Sequence, residues 1–148
     1  MAVKRIILKG TPLRDEGVAA AAITPGHLVE EVAAGVQVHG DAGENAIPTF
    51  AVERDLTGDG IDVDYAANDQ VLLAHCRTGD VVNALLAAAA TAVPNGGWLE
   101  SAGDGTLRIA TTDAATDDTQ RLGIVARALE AVNNSGGGTP ARIKVRIR

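Results

Sequence analysis

The sequence predicts a single all-β domain, a small barrel or sandwich of short strands. Three observations lead to this prediction. Short segments alternate apolar and polar residues, turn signals recur between them, and a length of 148 residues suits one domain. Aromatic residues make up only 2% of the chain, so the core must be aliphatic. Each aliphatic side chain gains less on burial than an aromatic one, which favours added stabilisation by a neighbouring subunit.

The first strand signals lie in the middle of the chain. The segments "GVQVHG" (35–40) and "PTFAVE" (48–53) are short and contain β-branched or aromatic residues. The segment "QVLLAHC" (70–76) is a continuous apolar run. Such a run predicts a strand that is covered on both faces.

The clearest strands lie further along. The segments "WLE" (98–100) and "TLRIAT" (106–111) flank Asp104-Gly105, a dipeptide that predicts a hairpin turn. The segment "ARIKVRIR" (141–148) alternates strictly, with Ile143, Val145 and Ile147 on one face and basic residues on the other. One face of this strand is therefore expected to be buried and the other solvated or salt-bridged.

Two segments have patterns that also suit helices. Residues 81–93, "VVNALLAAAATAV", are rich in good helix formers. Residues 119–132 follow acidic capping candidates, end before a glycine stop, and place apolar residues at helical spacing: Leu122, Val125, Leu129 and Val132. The pattern alone predicts a helix in the second segment.

Charge is distributed unevenly along the chain. The net charge is −6, and residues 15–118 carry 18 acids against three bases, whereas residues 1–14 and 119–148 are basic. An acidic middle repels DNA, and the scarcity of aromatic residues disfavours stacking on single strands, so we expect no direct nucleic-acid partner. Basic ends and an acidic body suit pairing between copies or docking on an acidic partner, or are ordinary solvated charge.

Cysteine content and hydropathy exclude further classes of protein. A single cysteine, Cys76, allows no disulfide within the chain and no multi-cysteine zinc site. No apolar run approaches the roughly 20 residues of a membrane span. The start of the chain has too short an apolar run for a signal peptide. We therefore expect a soluble protein that is made in the cytoplasm and has no membrane partner.

The stretch "DLTGDGIDVDY" (55–65) contains four aspartates and raises two site hypotheses. As a calcium loop it would use Asp55, Thr57 and Asp59, but Ala66 stands where a bidentate glutamate is needed. An acidic turn therefore fits better, and with Asp62 also lacking a closing glutamate we expect no metal requirement.

"GIDVDY" (60–65) also resembles the uracil-binding hairpin of trimeric dUTPases. That resemblance makes Asp62 or Asp64, with Tyr65, the nucleotide-site candidates. The chain lacks the Pro-Arg-Ser-Gly phosphate motif of that family.

The histidines suggest no active site. His27 and His39 lie in loop-like sequence near glycines, and His75 lies within the apolar strand. Adjacent Cys76 should point to the opposite face from His75, so the two cannot form a catalytic pair. We expect His75 to be a satisfied core histidine, and we expect no catalytic residues and no cofactor.

A series of motifs runs in a fixed order from about residue 20 onward. They are "AAITPGHLVE" (21–30), "IPTFAVERDLTGDGIDVDY" (47–65), Gly79-Asp80, "NGGWLESAGDGTLR" (95–108) and "GIVARALEAVNNSGGGTPARIKVRI" (123–147). Their order and spacing resemble the head-decoration, or cement, proteins of tailed bacteriophages. Asn68-Asp69 stands where glycine is usual, and "AAAATAV" and "TTDAATDDTQ" are longer than usual.

The resemblance implies a β-tulip-like barrel with short helices or none. It also implies that 119–132 contains a strand paired with the final one, against the helical pattern. Such proteins are most often homotrimers that sit on the outer surface of the icosahedral head. There they contact the major capsid protein, bridge neighbouring capsomers and stabilise the shell against the pressure of packaged DNA. The alternatives are a dUTPase-like nucleotide hydrolase and a carbohydrate- or metal-binding β module.

The expected domain boundaries follow from the same resemblance. Residues 21–148 are expected to form the barrel domain, and residues 1–20 an N-terminal arm or the first strand. The basic and β-branched start of the chain suits strand addition to a neighbour or to the capsid. The expected interface residues are Val3, Lys4, Arg5, Ile6, Ile7, Leu8 and Lys9.

Overall fold

Eleven strands form the framework of the residues that the computed structural model describes, 4–111 and 122–148. Within those ranges only Leu122 and Gly123 are helical. In chain order the strands are β1 (Ile7–Lys9), β2 (Leu13–Val18), β3 (Val29–Val32), β4 (Gly35–Val38), β5 (Thr49–Ala51), β6 (Gln70–His75), β7 (Val81–Leu86), β8 (Trp98–Ser101), β9 (Leu107–Ile109), β10 (Ile124–Ala128) and β11 (Ala141–Ile147).

The largest sheet closes on itself. Its strand order is β1-β7-β11-β10-β8-β9, and a parallel bridge between Leu86 of β7 and Leu107 of β9 closes the five strands from β7 to β9 into a ring, with β1 added to β7. Strands β7, β11, β10, β8 and β9 therefore make a closed five-stranded barrel. The predicted small all-β barrel in a single domain is confirmed.

A smaller sandwich lies against this barrel. Strands β2, β6 and β5 form a three-stranded sheet in that order, and the β3–β4 hairpin covers its outer face. Val71 and Leu73 of β6 join a small apolar cluster under the hairpin, whereas Ala74 and the following Cys76 join the large cluster of the barrel. The strand predicted from "QVLLAHC" is thus covered on both faces, as expected.

The two ambiguous segments contain strands. All six residues of β7 are buried, so this strand shows no alternation in sequence. β10 pairs with β8 on one side and β11 on the other. The helix predicted from pattern alone is therefore wrong for 124–128, because pairing on both sides outweighs a weak local preference. The strand implied by the resemblance is confirmed there, and residues 119–121 lie outside the described ranges.

Several turns have residues with a positive φ, and two of them bear on the sequence predictions. Gly105 in the β8–β9 hairpin has φ of 81°, and an added Cβ would lie 2.8 Å from Val38. The hairpin predicted at Asp104-Gly105 is confirmed. Asn68 has φ of 71°, a left-handed conformation that asparagine tolerates better than most residues. The positive φ is compatible with the expectation that this position suits glycine.

Candidate functional site

The N-terminal segment expected to form an interface is partly built into the barrel. Val3 lies outside the described residues. Lys4, Arg5 and Lys9 are exposed, whereas Ile6 is fully buried in the barrel core. The segment thus has a charged outer side and an apolar anchor.

Strand β1 pairs with β7 of its own chain. The antiparallel register places Ile7 opposite Val82 and Lys9 opposite Val81, with half-buried Leu8 between them. A strand exchanged from a neighbouring copy would make the same pairs. The interface role of Val3 to Lys9 therefore stays a prediction.

A buried carboxylate holds the start of this segment. Glu53 is 7% exposed, and its Oε2 accepts a hydrogen bond from the amide of Ile6 at 3.1 Å. On the other side, the amide of Asn83 donates to the Ile6 carbonyl at 2.7 Å. A charged acceptor makes the first of these bonds stronger than a neutral one. Both backbone groups of Ile6 are therefore bonded inside the protein.

The acidic stretch at 55–65 forms a loop between β5 and β6, and its aspartates do not converge. Arg54 forms ion pairs with Asp69 at 2.6 Å and with Asp59 at 3.7 Å. The Ala66 amide, together with Arg54, holds the pKa of Asp69 below its ordinary value. Asp59 and Asp69 thus face the same guanidinium.

The other end of the loop is held by Arg142 of β11. Its guanidinium donates to the carbonyls of Pro25 at 2.6 Å and Ile61 at 2.7 Å, and lies 3.5 Å from Asp62. Burial lowers the pKa of Arg142 from its ordinary value. Arg142 therefore joins the loop to the barrel, and Asp62 stays exposed at the rim.

Tyr65, one of the nucleotide-site candidates, is fully buried. Its hydroxyl donates to the Val52 carbonyl at 2.6 Å, and the Arg54 guanidinium lies 4.3 Å from its ring centroid. Burial raises the pKa of Tyr65. In this conformation the ring has no free face for a sugar, while Asp64 is exposed.

Two of the histidines and the cysteine have structural partners. The Thr24 amide donates to Nδ1 of His27, whose pKa is lowered by burial. Nδ1 of His39 lies 2.7 Å from the Ser101 hydroxyl. Burial raises the pKa of the Cys76 thiol to about 12, so the thiolate is scarce at neutral pH. Cys76 packs in the barrel cluster, away from His75, as expected.

His75 lies in a polar row that crosses the three-stranded sheet. Its Nδ1 is 2.8 Å from the hydroxyl of Thr49 on β5, and its Nε2 is 3.2 Å from Oδ2 of Asp15 on β2. The Glu16 amide, with a contribution from His75, holds the pKa of Asp15 below its ordinary value. His75 is half-buried at the edge of the small apolar cluster, so the expectation of a core histidine is only partly met.

A third ligand-type side chain reaches this row from the hairpin. The carboxylate of Glu31 on β3 lies within 4.8 Å of the Asp15 oxygen and the His75 nitrogen. Glu31 and His75 also line a cavity of about 320 Å³ between the hairpin and residues 45–49. Sequence reasoning missed this group because Asp15 and His75 lie 60 positions apart. Only strand pairing brings them together.

Comparisons with known proteins assign no family. No protein-family model matches the chain, and no curated protein matches it significantly. Within the part of the chain that the structure describes, no helix has the length and apolar character to span a membrane.

Proposed function

We propose that this protein is a structural component of a tailed-phage head that binds the outside of the assembled shell. It bridges neighbouring capsomers as a homotrimer, with the major capsid protein as its partner. The proposal rests on the order and spacing of the motifs between residues 21 and 147. No catalytic residue or cofactor is part of it.

One observation carries the most weight. The resemblance implied a strand before the last one where local pattern predicts a helix, and β10 pairs with β11 through Ala126, Arg127 and Ala128. A chance resemblance between short motifs has no reason to imply the correct strand against the local pattern. The closed barrel also accords with the fold expected of such proteins.

The surface offers side chains that suit protein contacts. Trp98 is 42% exposed on β8, and the guanidinium of Arg127 lies 5.3 Å from its ring centroid. Tryptophan and arginine are enriched among residues that dominate binding energy at interfaces. Leu13 and Val18 add exposed apolar surface along β2. The acidic loop at 55–65, which faces solvent, would help keep a densely decorated particle soluble.

The mechanism of such a protein is thermodynamic. A subunit that binds the closed shell and not free capsid subunits stabilises the shell by linkage. Each contact can be weak, because three linked copies make the second and third contacts effectively intramolecular. Avidity then exceeds the single-site affinity by roughly a hundredfold or more.

Cosedimentation with empty heads tests the proposal. The heads are assembled from the major capsid protein encoded in the same genome, and unassembled capsid subunits serve as the comparison. We expect saturable binding to heads only, a higher disruption temperature of decorated heads, and a trimer in sedimentation equilibrium. Weaker head binding by Trp98→Ala, with binding by the exposed-site control Leu56→Ala unchanged, would place the contact at the barrel wall.

The competing nucleotide function has a separate readout. Hydrolysis of dUTP in the presence of magnesium, lost in Asp64→Asn, would contradict the proposal. So would the absence of any binding to assembled heads.

A further inference from the structure

The strongest unassigned feature is the cluster of Asp15, Glu31 and His75 at the rim of the small sandwich. Within residues 4–111 and 122–148 it is the one group of three carboxylate, imidazole or thiol side chains whose ligand atoms converge. The three residues come from β2, β3 and β6, so the cluster exists only in the folded chain. It goes beyond the proposed capsid function, which does not use it.

The cluster is short of positive charge. Among the described residues, neither Asp15 nor Glu31 forms an ion pair with lysine or arginine. The Asp15 carboxylate accepts a hydrogen bond from the Glu16 amide and faces the His75 ring, and the Glu31 carboxylate has no hydrogen-bond partner within residues 4–111 and 122–148. By contrast, two aspartates of the 55–65 loop have arginine partners: Asp59 faces Arg54, and Asp62 lies beside Arg142. Two like charges held this close without a cation repel each other, and a divalent ion would relieve that repulsion.

The donor set and its spacing indicate the class of ion. Two ligands of one tetrahedral zinc ion, each at about 2.0–2.2 Å from the metal, lie about 3.3–3.6 Å apart. The Asp15 oxygen and His75 nitrogen are 3.2 Å apart, close to that separation. An imidazole with two carboxylates suits zinc and similar transition ions better than calcium or magnesium, which prefer oxygen ligands alone.

The surroundings of His75 add an independent observation. Thr49 is only 4% exposed, and its hydroxyl lies 2.8 Å from Nδ1 of His75. This contact orients the imidazole ring so that Nε2 faces the cluster. Metal-binding histidines commonly have such a partner on the second ring nitrogen. The cavity of about 320 Å³ opens beside Glu31 and His75, which leaves room for water or a small ligand at a fourth position.

We propose that Asp15, Glu31 and His75 bind one zinc ion per chain, which fastens the β3–β4 hairpin to the three-stranded sheet. The site leaves a coordination position open toward the cavity. This differs from the sequence expectation of no metal. That expectation rested on the missing glutamate of the 55–65 loop, on the single cysteine, and on histidines that lie in loop-like sequence or within an apolar strand.

Zinc titration of the metal-free full-length protein tests this proposal. We expect saturable binding of one Zn²⁺ per chain by calorimetry, and a rise in Tm because the ion binds only the folded chain. His75→Gln and Glu31→Gln should each weaken binding at least tenfold and remove the rise in Tm. Thr49→Val, which removes only the orienting hydroxyl, should weaken binding by about 10-fold or more.

Glu16→Gln is the matched control. Glu16 neighbours Asp15 on the same strand but points to the other face, so zinc binding should be unchanged. Circular dichroism of each variant without zinc separates loss of the site from loss of the fold, and Co²⁺ absorption gives a second readout of coordination. No saturable zinc binding, or equal binding in wild type and His75→Gln, would overturn the proposal.

Discussion

The barrel and the smaller sandwich differ in how many of their strand edges are left unpaired. In the barrel, the β7–β9 bridge closes the ring of five strands, and every residue of β7 is buried. In the sandwich, β2 is an open edge, and five of its six residues are exposed. Closed edges favour stability, whereas an open edge presents unpaired backbone groups and free side chains to a partner. The two parts therefore suit different tasks.

The apolar cluster of the barrel is also larger than that of the sandwich. Within residues 4–111 and 122–148, the barrel cluster contains 20 buried residues, including Phe50 and Leu99, whereas the sandwich cluster contains eight around Tyr65. Because hydrophobic stabilisation scales with apolar area removed from water, most of the folding free energy should come from the barrel.

Deleting residues 2–9 should destabilise the barrel severely. The deletion removes the fully buried Ile6 and the pairing of β1 with β7, and leaves the buried Glu53 carboxylate without its donor. Loss of a buried isoleucine alone costs about 2–5 kcal/mol, and the unsatisfied carboxylate adds to this. Thermal unfolding followed by circular dichroism should show early melting or aggregation. A truncation that melts like the full-length protein would contradict this prediction, because it would show that residues 2–9 contribute little to the stability of the barrel.

Two buried substitutions compare the cores directly. Ile143→Ala in the barrel should cost toward the upper end of about 2–5 kcal/mol, because closed strands cannot move into the cavity. Leu73→Ala in the sandwich should cost toward the lower end, since the β3–β4 hairpin can settle inward. The control Leu13→Ala, at a residue 60% exposed, should change the unfolding free energy by less than about 0.5 kcal/mol. Denaturant titration measures all three; equal costs for the two cores would refute the comparison.

Tyr65→Phe tests a bond between the two parts. The Tyr65 ring lies in the sandwich cluster, and its hydroxyl donates to the carbonyl of Val52, whose side chain lies in the barrel cluster. Loss of this hydrogen bond should cost about 0.5–1.5 kcal/mol, with little change in packing. Tm and denaturant midpoint give the measurement. An unchanged stability would mean that water replaces the hydroxyl at Val52.

Calcium should have the smallest effect. Asp59 and Asp69 face Arg54, Asp62 lies beside Arg142, and Ala66 stands at the position of the closing glutamate. Added calcium would have to displace these guanidinium groups. We expect Tm to stay unchanged at millimolar Ca²⁺, measured after EDTA treatment and dialysis. A calcium-dependent rise of several degrees, lost in Asp59→Asn, would disprove this.

Sequence reasoning worked best for strands with one buried and one open face. The alternation of "ARIKVRIR" predicted β11, and Asp104-Gly105 predicted the β8–β9 hairpin. It worked less well for β7. All six residues of this strand are buried, so its sequence does not alternate, and its composition is typical of a helix. It did not anticipate β2, since "LRDEGV" is almost entirely exposed and has no apolar stripe. Its strand conformation comes from pairing with β6.

The candidate sites were harder to predict from the sequence than the strands, because the residues that converge are distant along the chain. The stretch with the most aspartates, 55–65, led to the sequence hypotheses, yet Asp59 faces Arg54 whereas Asp62 lies beside Arg142. The group that does converge combines Asp15, Glu31 and His75, which no local pattern connects. Spacing along a chain predicts a site only when the ligands share one loop or one helix face. Convergence across strands depends on register, which tertiary packing sets.

The position of β11 within the sheet has a consequence for synthesis. This strand is late in the chain, yet it lies between β7 and β10 and pairs with both. The nascent chain can form hairpins such as β3–β4 and β8–β9 as it leaves the ribosome, but the barrel wall has a gap until residues 141–147 emerge. Until then one edge of β7 and one edge of β10 lack their pairing partner, and the growing chain depends on rapid completion or on chaperones to avoid aggregation.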